Sequence, residues 1–311
     1  MTLSHRAPYD VVIVGGSFAG LSAALMLGRA RKRVLVIDGG RPRNRFADHA
    51  HGLIGHDGKP PAQLLGEAVA QVMAYPSVGL HIGLARRAER NADGFLITLD
   101  AGESVSGRKL ILASGIRDVL PDVEGLAARW GRSVLHCPYC HGYEVAGQPL
   151  GVLANSAMSP HQAEVVSEWG PTIYFSQGRF APDSTQEGRL KALGVQLEHT
   201  PVASLHGVGA NLQYARLHDG RQIPLAAMFT VPGIELQSDL AAQLGCSLVD
   251  GPLGHYVKVD DTRQTSVPGV FAAGDMATAM QSVPLAVAAG AMAGVAAHRA
   301  LIEDACRDST R

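Results

Sequence analysis

The stretch His136-Cys-Pro-Tyr-Cys-His141 carries the most reactive chemistry in this chain of 311 residues. Two cysteines separated by two residues can bring their sulfurs to bonding distance, and one thiolate can stabilise the other, so C-x-x-C reads as a redox dithiol. The flanking imidazoles leave a second reading open, because His136, Cys137, Cys140 and His141 together offer several metal donors. Structural zinc usually draws its second ligand pair from further along the chain. The remaining cysteines, Cys246 and Cys306, are solitary and read as buried or incidental residues. The balance favours a dithiol, with no metal site.

Gly15-Gly-Ser-Phe-Ala-Gly20 is the second chemical signal. Gly15 and Gly20 stand at the first and last glycine positions of G-x-G-x-x-G, and Ser17 stands where the middle glycine would be. The first glycine permits a tight turn and the last permits close helix–strand packing. The helix that follows offers free N–H groups and the positive end of its dipole to a pyrophosphate. Asp38 comes 18 residues after Gly20, where a carboxylate can accept hydrogen bonds from a ribose 2′-hydroxyl and would repel a 2′-phosphate. A purely structural βαβ unit is the alternative. Strand, helix, strand and acid in this order favour a dinucleotide site.

These residues need elements to hold them. Val11–Val14 and Val34–Asp38 are short β-branched runs expected of strands buried on both faces, and Leu21–Arg31 between them has helical spacing. Residues 39–61 read as a long irregular loop, rich in Arg, Gly and Pro. Such a loop can be plain solvent-facing chain. Alternatively, Arg43 or Asn44 could contact cofactor phosphates, and His49 or His51 could lie near the cofactor's reactive ring. A helix is expected over Ala62–Ala74, with strands near Gly94–Asp100 and Lys109–Ala113. A second, weaker βαβ pattern runs from Pro149–Ala154 through His161–Trp169 to Thr172–Phe175, about 135 residues after the first. Ala226–Val231, Tyr256–Val259 and Val270–Asp275 are further strand candidates. Val283–Asp304 reads as a long terminal helix with Pro284 in its first turn.

Leu110-Ile-Leu-Ala-Ser-Gly115 is a strand ending in a small-residue turn, and Thr265–Asp275 holds a strand ending in an acid. With the Gly15–Gly20 turn, these segments resemble the flavoprotein disulfide reductases that carry two dinucleotide domains. With C-x-x-C placed just before the second βαβ unit, the whole chain resembles the low-molecular-weight thioredoxin reductases. That resemblance implies an FAD held by Gly15, Ser17, Gly20, Asp38, Ser114, Gly115, Gly274, Asp275, Gln281, Ser282 and Val283. It also implies that Cys140 faces the flavin, that Cys137 exchanges with substrate, and that the protein is a homodimer. After the second cysteine the thioredoxin reductases have Asp, whereas this chain has His141, followed by Gly-Tyr-Glu144. Cys-x-x-Cys-His-Gly-Tyr-Glu is similar to the gliotoxin-type dithiol oxidases, which close disulfides in small dithiols. An imidazole titrating near neutrality can take a proton from an attacking thiol and return it, so Cys137, Cys140 and His141 are the expected catalytic residues. Glu144 either orients His141 or is simply solvated.

An NADPH-dependent reductase needs a second glycine-rich turn after the strand Leu150–Leu153. Here Ala154, Asn155 and Ser156 occupy it, where side chains obstruct backbone approach to a pyrophosphate. The arginine cluster by which the family grips a 2′-phosphate is reduced to Ser176-Gln-Gly-Arg179. The expected fold is α/β, with two dinucleotide-binding, Rossmann-like domains. An FAD domain of residues 1–118 and 246–311 is interrupted by a nucleotide-fold domain of residues 119–245 with a degenerate nucleotide site. The expected reaction oxidises a small-molecule dithiol, or exchanges with a disulfide, without NADPH. An NAD(P)H-dependent disulfide reductase and a non-catalytic flavin sensor are the alternatives.

Composition agrees. The chain is 46% hydrophobic, holds 36 glycines, and balances 27 Lys and Arg against 28 Asp and Glu for a net charge of −1. Near-neutral charge argues against nucleic acid or anionic membrane as a partner. No signal-peptide pattern opens the sequence, and Met276–Ala297 reads as too weakly apolar for a membrane span, so a cytoplasmic protein is expected.

Overall fold

The computed structural model describes residues 7–309. The chain forms two compact units. One comprises the described residues to Arg43, then Ala62–Arg117, and the chain from Glu235 onward; the other comprises Asn44–Pro61 and Asp118–Ile234. This division departs from the expected boundaries in two places. Residues 44–61 belong to the second unit because their ion pairs and hydrogen bonds are made there, and residues 235–245 belong to the first, where Gln243 bonds the Ala88 amide at 2.9 Å.

In the first unit, β1 (Tyr9–Val14), β2 (Val34–Asp38), β3 (Val78–Ile82), β4 (Ala85–Asn91), β5 (Gly94–Leu99) and β6 (Ser104–Leu112) share one sheet in the order β3-β2-β1-β6-β5-β4. The first four strands of that order run parallel; β4 and β5 pair antiparallel. The second unit resumes within β7 (Ile116–Val119), at Asp118. It contains β8 (Val134–Leu135), β9 (Leu150–Leu153), β10 (Thr172–Phe175), β11 (Gln196–Glu198), β12 (Val202–His206), β13 (Tyr214–Leu217), β14 (Gln222–Pro224) and β15 (Ala227–Phe229). Five of these form a parallel sheet in the order β11-β10-β9-β15-β8, and β12-β13-β14 form an antiparallel one. The chain returns through β16 (Gly233–Leu236), then β17 (Leu248–Gly251), β18 (Gly254–Val257) and β19 (Val270–Ala272), the last pairing with β6.

Among the described residues, seven α-helices join the strands: α1 (Phe18–Arg29), α2 (Pro61–Met73), α3 (Pro138–His141), α4 (Ser159–Val166), α5 (Ser184–Ala192), α6 (Leu240–Gln243) and α7 (Val283–Asp308). The β-branched runs at Val11–Val14 and Val34–Ile37 are almost wholly buried, as parallel strands covered on both faces require. The first unit's core unites β1, β2, α1 and α7 through Ile13, Leu27, Val36, Ala293 and Ala297.

By length and composition α7 is apolar enough to cross a membrane, contrary to the reading of that region as too weakly apolar. It nevertheless serves this unit as a packing helix. Gly290 and Gly294 lie against the backbone of Ala19 and Ala23, so close that a Cβ on Gly290 would overlap the Ala19 carbonyl. Small residues there let α1 and α7 approach at backbone distance, which fixes where the α1 N-terminus stands.

Candidate active site

Cys137 and Cys140 are joined in a disulfide, with their Cα atoms 5.3 Å apart. Pro138 starts α3 with its backbone angle already helical, and Cys137 caps the turn: the Cys140 N–H donates to Cys137 Sγ at 3.2 Å. Such a bond is stronger to a thiolate than to a disulfide sulfur, so it favours the reduced, ionised state of Cys137. Beneath the turn, the Gln162 carboxamide in α4 donates to the His136 carbonyl at 2.8 Å. Gly142 is pressed against the Trp169 ring, where a Cβ would stand 2.8 Å from ring carbon, and Tyr139 meets the same ring edge-on.

His141 ends α3 and is mostly buried, which holds its imidazole below the usual histidine range by penalising the charged form. Glu144 opposes that shift and His51 adds to it. The His51 Nε2 stands 3.3 Å from a Glu144 carboxylate oxygen. The loop over residues 39–61 thus places an imidazole at the redox motif, a placement the sequence left open. Glu144 is exposed, yet it is engaged by that imidazole rather than merely solvated.

In the first unit, the ends of β1, β2, β6 and β19 come to one edge of the parallel sheet. There Gly15 follows β1, Asp38 ends β2, and Ser114 with Gly115 and Gly274 with Asp275 come within three residues after β6 and β19. Gly15 has φ +110°, and a Cβ on it would overlap the Ala113 carbonyl; a Cβ on Gly20 would overlap the Gly15 carbonyl. Only glycine fits at either position. The Gly16 N–H donates to Asp38 Oδ1 at 3.1 Å, which orients that carboxylate. Ser17 is the N-cap of α1 but makes no side-chain cap bond, so its hydroxyl does not occupy the amides of the first turn. A glycine turn, an uncapped helix start and an oriented carboxylate are the donor set that a pyrophosphate and a ribose require, and the residues present fit a dinucleotide.

Asp275 pairs with Arg43 Nη1 at 3.1 Å, so the arginine weighed as a phosphate contact meets the second acidic site residue. Ser114 Oγ lies 3.6 Å from the Met276 sulfur. Gln281 is turned back on its own loop, donating to the Thr278 and Ala279 carbonyls at 3.1 and 3.0 Å. The Ser282 hydroxyl caps α7 by accepting from the Leu285 N–H, and Val283 is the first helical residue. The sulfur of Cys246 is buried beside Thr265, and burial pushes its thiol up; Cys306 lies at the far end of α7. Among the described residues, no three His, Cys, Asp or Glu side chains gather in a group able to hold a metal.

The sequence profile of the pyridine nucleotide-disulphide oxidoreductases matches residues 9–292. The chain belongs to that family. This oxidoreductase is 34% identical over 311 residues to the thioredoxin reductase tcpT of Claviceps purpurea, covering 95% of each chain. It is 32% identical to the thioredoxin reductase sirT of Leptosphaeria maculans, covering 92% of each. Its fold superposes on the crystal structure of an oxidoreductase from Agrobacterium tumefaciens with a TM-score of 0.91 and 44% identity, over 95% of this chain and 99% of that one. It is therefore a thioredoxin reductase-like, flavin-dependent enzyme of disulfide redox chemistry.

In this oxidoreductase, the second βαβ unit ends its first strand differently from the first. Ala154, Asn155 and Ser156 follow β9, and the amides of Asn155 and Ser156 donate to the Ser159 hydroxyl at 3.0 and 3.2 Å. Ser159 is wholly buried, and the Asn155 side chain donates to the Val231 carbonyl at 3.1 Å. After β10, Ser176 meets His199 at 3.3 Å and Gln177 accepts from the Val202 amide at 2.8 Å. Arg179 lies over the Phe180 ring. Sequence reasoning noticed the missing glycines but not that Ser159 takes over the amides they would have presented. A serine opening the helix after a strand end was the available signal.

Proposed function

We propose that the protein is an FAD-dependent oxidase of small-molecule dithiols, working through Cys137, Cys140 and His141 without NADPH. One observation carries the reading: at the turn after β9, where a pyrophosphate would need free amides, Asn155 and Ser156 donate theirs to the chain's own Ser159 hydroxyl. The fungal relatives named thioredoxin reductases and the histidine after the second cysteine support the thiol chemistry.

The steps follow from the residues. A substrate thiol loses its proton to the neutral imidazole of His141, and its sulfur attacks Cys137 Sγ. The Cys137–Cys140 bond breaks, and Cys140 leaves as a thiolate. The second substrate thiol, its proton passing to solvent, then attacks the substrate sulfur of the mixed disulfide. The product leaves as a disulfide, and Cys137 leaves as a thiolate held by the Cys140 N–H. Two electrons now reside on the protein's dithiol. Gly15, Ser17, Gly20, Asp38, Ser114, Gly115, Gly274, Asp275 and the Gln281–Val283 turn would hold an FAD, which when bound would supply the two-electron acceptor for that dithiol, with oxygen as the final oxidant. Burial of His141 serves the first step, since an imidazole kept neutral below its usual range is available as a base in mildly acidic as well as neutral solution. A homodimer belongs to the same reading by likeness to the family.

Anaerobic mixing tests it. Dithiothreitol should bleach the flavin and NADPH should not; rapid bleaching by NADPH would restore an NADPH-dependent reductase. Cys140→Ser should abolish dithiol oxidation. Full turnover in that variant would remove the dithiol from the reaction.

A further inference from the structure

Residues 44–61 are sequential neighbours of the dinucleotide unit but fold onto the other one. They are fastened there as a strap. Arg132 Nη1 lies 2.7 Å from Asp48 Oδ2, and Arg132 Nε donates to the Phe46 carbonyl at 3.1 Å. An antiparallel bridge between Ala50 and Lys59 closes the strap, with Gly58 N–H donating to the Ala50 carbonyl at 3.0 Å.

The closed strap presents His51. Its ring Nδ1 is 3.3 Å from Asp57 Oδ2 and its Nε2 is 3.3 Å from Glu144 Oε1. Asp57 is itself held, accepting from the Gly52 amide at 2.8 Å, and that bond together with His51 keeps its carboxyl below the usual range. Glu144 follows His141 by three residues and acts on it through its charge. Asp57, His51 and Glu144 therefore form a linked carboxylate, imidazole and carboxylate, ending three residues along the chain from the part-buried His141.

We propose that His51 is a positioning residue of the redox centre: it holds the Glu144 carboxylate and so sets how readily His141 takes the proton of an attacking thiol. The inference deepens the dithiol-oxidase reading and rests on it for the source of that proton. The step couples a proton transfer to thiol–disulfide exchange. The substrate S–H bond breaks, the proton goes to the His141 imidazole, and the sulfur's electron pair forms the bond to Cys137 Sγ as Cys140 departs with the pair of the broken disulfide.

Electrostatics gives the proposal a sign. Asp57 and Glu144 face His51 directly, and the His49 ring stands 6.4 Å away. Glu144 and His51 are the charged groups acting on His141, Glu144 raising its proton affinity and His51 lowering it. While His51 holds Glu144, part of that carboxylate's charge is spent on His51. Without His51, Glu144 acts on His141 undivided, and the imidazole binds its proton more tightly. Two neighbouring groups thus shift one histidine in opposite directions, which a merely structural clasp would not do.

The experiment is a histidine NMR titration of the flavoprotein as purified, with His141 assigned by its loss in His141→Asn, alongside the pH profile of dithiol oxidation. His51→Phe should raise the His141 titration by about half a pH unit or more, and Glu144→Gln should lower it. Adding His51→Phe to Glu144→Gln should move His141 less than His51→Phe alone does, because only the smaller direct effect of His51 remains once Glu144 is neutral. His51→Gln, whose amide can still donate to Glu144, should fall between wild type and His51→Phe. It keeps the test decisive should His51→Phe open the strap, which faster proteolysis within residues 44–61 would reveal. An unmoved His141 titration in His51→Gln and His51→Phe would overturn the proposal, as would equal shifts from His51→Phe with and without Glu144. If the titration moves as expected while no dithiol is oxidised, the positioning role stands and the substrate reading falls.

Discussion

The turns after β1 and after β9 are the same device put to opposite ends. Both leave a buried parallel strand and enter a helix, and both contain a serine close to the helix start. At the first, Ser17 caps nothing, and glycine backbone leaves the amides of α1 unobstructed. At the second, Ser159 accepts from two amides of the turn and is sealed from solvent. The difference teaches that the same strand–turn–helix frame can leave its turn amides open or close them internally: at the second turn a hydroxyl from the chain satisfies two backbone donors, and the sheet keeps its order.

The largest effect that could break this comparison lies at the glycines. Gly15→Val should give a protein purified without flavin colour and without turnover, whereas Ser156→Ala should leave flavin content and turnover within about twofold of wild type. Retained colour in Gly15→Val would show that the first turn is not where the flavin is held. Next comes Gly290→Val, which drives a side chain into the Ala19 backbone and should cost about 1–3 kcal/mol in thermal unfolding while loosening the helix pair behind the flavin turn.

Ser159→Ala should cost about 1–2 kcal/mol by leaving two part-buried amides without that partner, yet should not confer bleaching by NADPH, since no arginine cluster follows β10. Bleaching in that variant would mean the serine alone excludes the nucleotide. Smaller still is Gly188→Ala in α5, where a Cβ meets nothing: helix propensity predicts a gain of about 0.5–1 kcal/mol, opposite in sign to Gly290→Val.

The pH dependence of stability separates the units from two sides. His141 is held below 6.5 in the folded protein, so between its depressed value and 6.5 the unfolded chain binds the extra proton. Stability should therefore rise with pH through that window, and the rise should flatten in His141→Asn. Cys246 is pushed above 9.0 by burial, so the unfolded thiol ionises first and stability should fall as pH climbs past 9.0, less so in Cys246→Ala. Calorimetric melting curves across both ranges check each sign.

Much of the scaffold was legible because its strands are covered on both faces and so read as unbroken apolar runs. Val34–Asp38 and Thr172–Phe175 are strands over the expected residues, and α1, α2 and α7 differ from expectation only at their ends. What escaped were elements whose pattern belongs to an edge. β4, Ala85–Asn91, carries three arginines and a glutamate on a half-solvated antiparallel strand, and charge there resembles a loop. Short pieces such as β8 and β11 are strands only because neighbours pair with them.

The candidate site divides along the same line. The cysteine pair, the histidine after it, the glycine turn and Asp38 could be named from the sequence because each acts within a local segment, where spacing along the chain is spacing in space. The pairing of Arg43 with Asp275, the capture of Asn155 and Ser156 by Ser159, and the delivery of His51 to Glu144 needed the tertiary structure. Two of these join residues separated by 93 and 232 positions, and linear order carries no measure of such a distance. The sequence by itself determined which groups can do chemistry; folding decided which of them meet, because a contact across the chain exists only once both segments are packed against a common core.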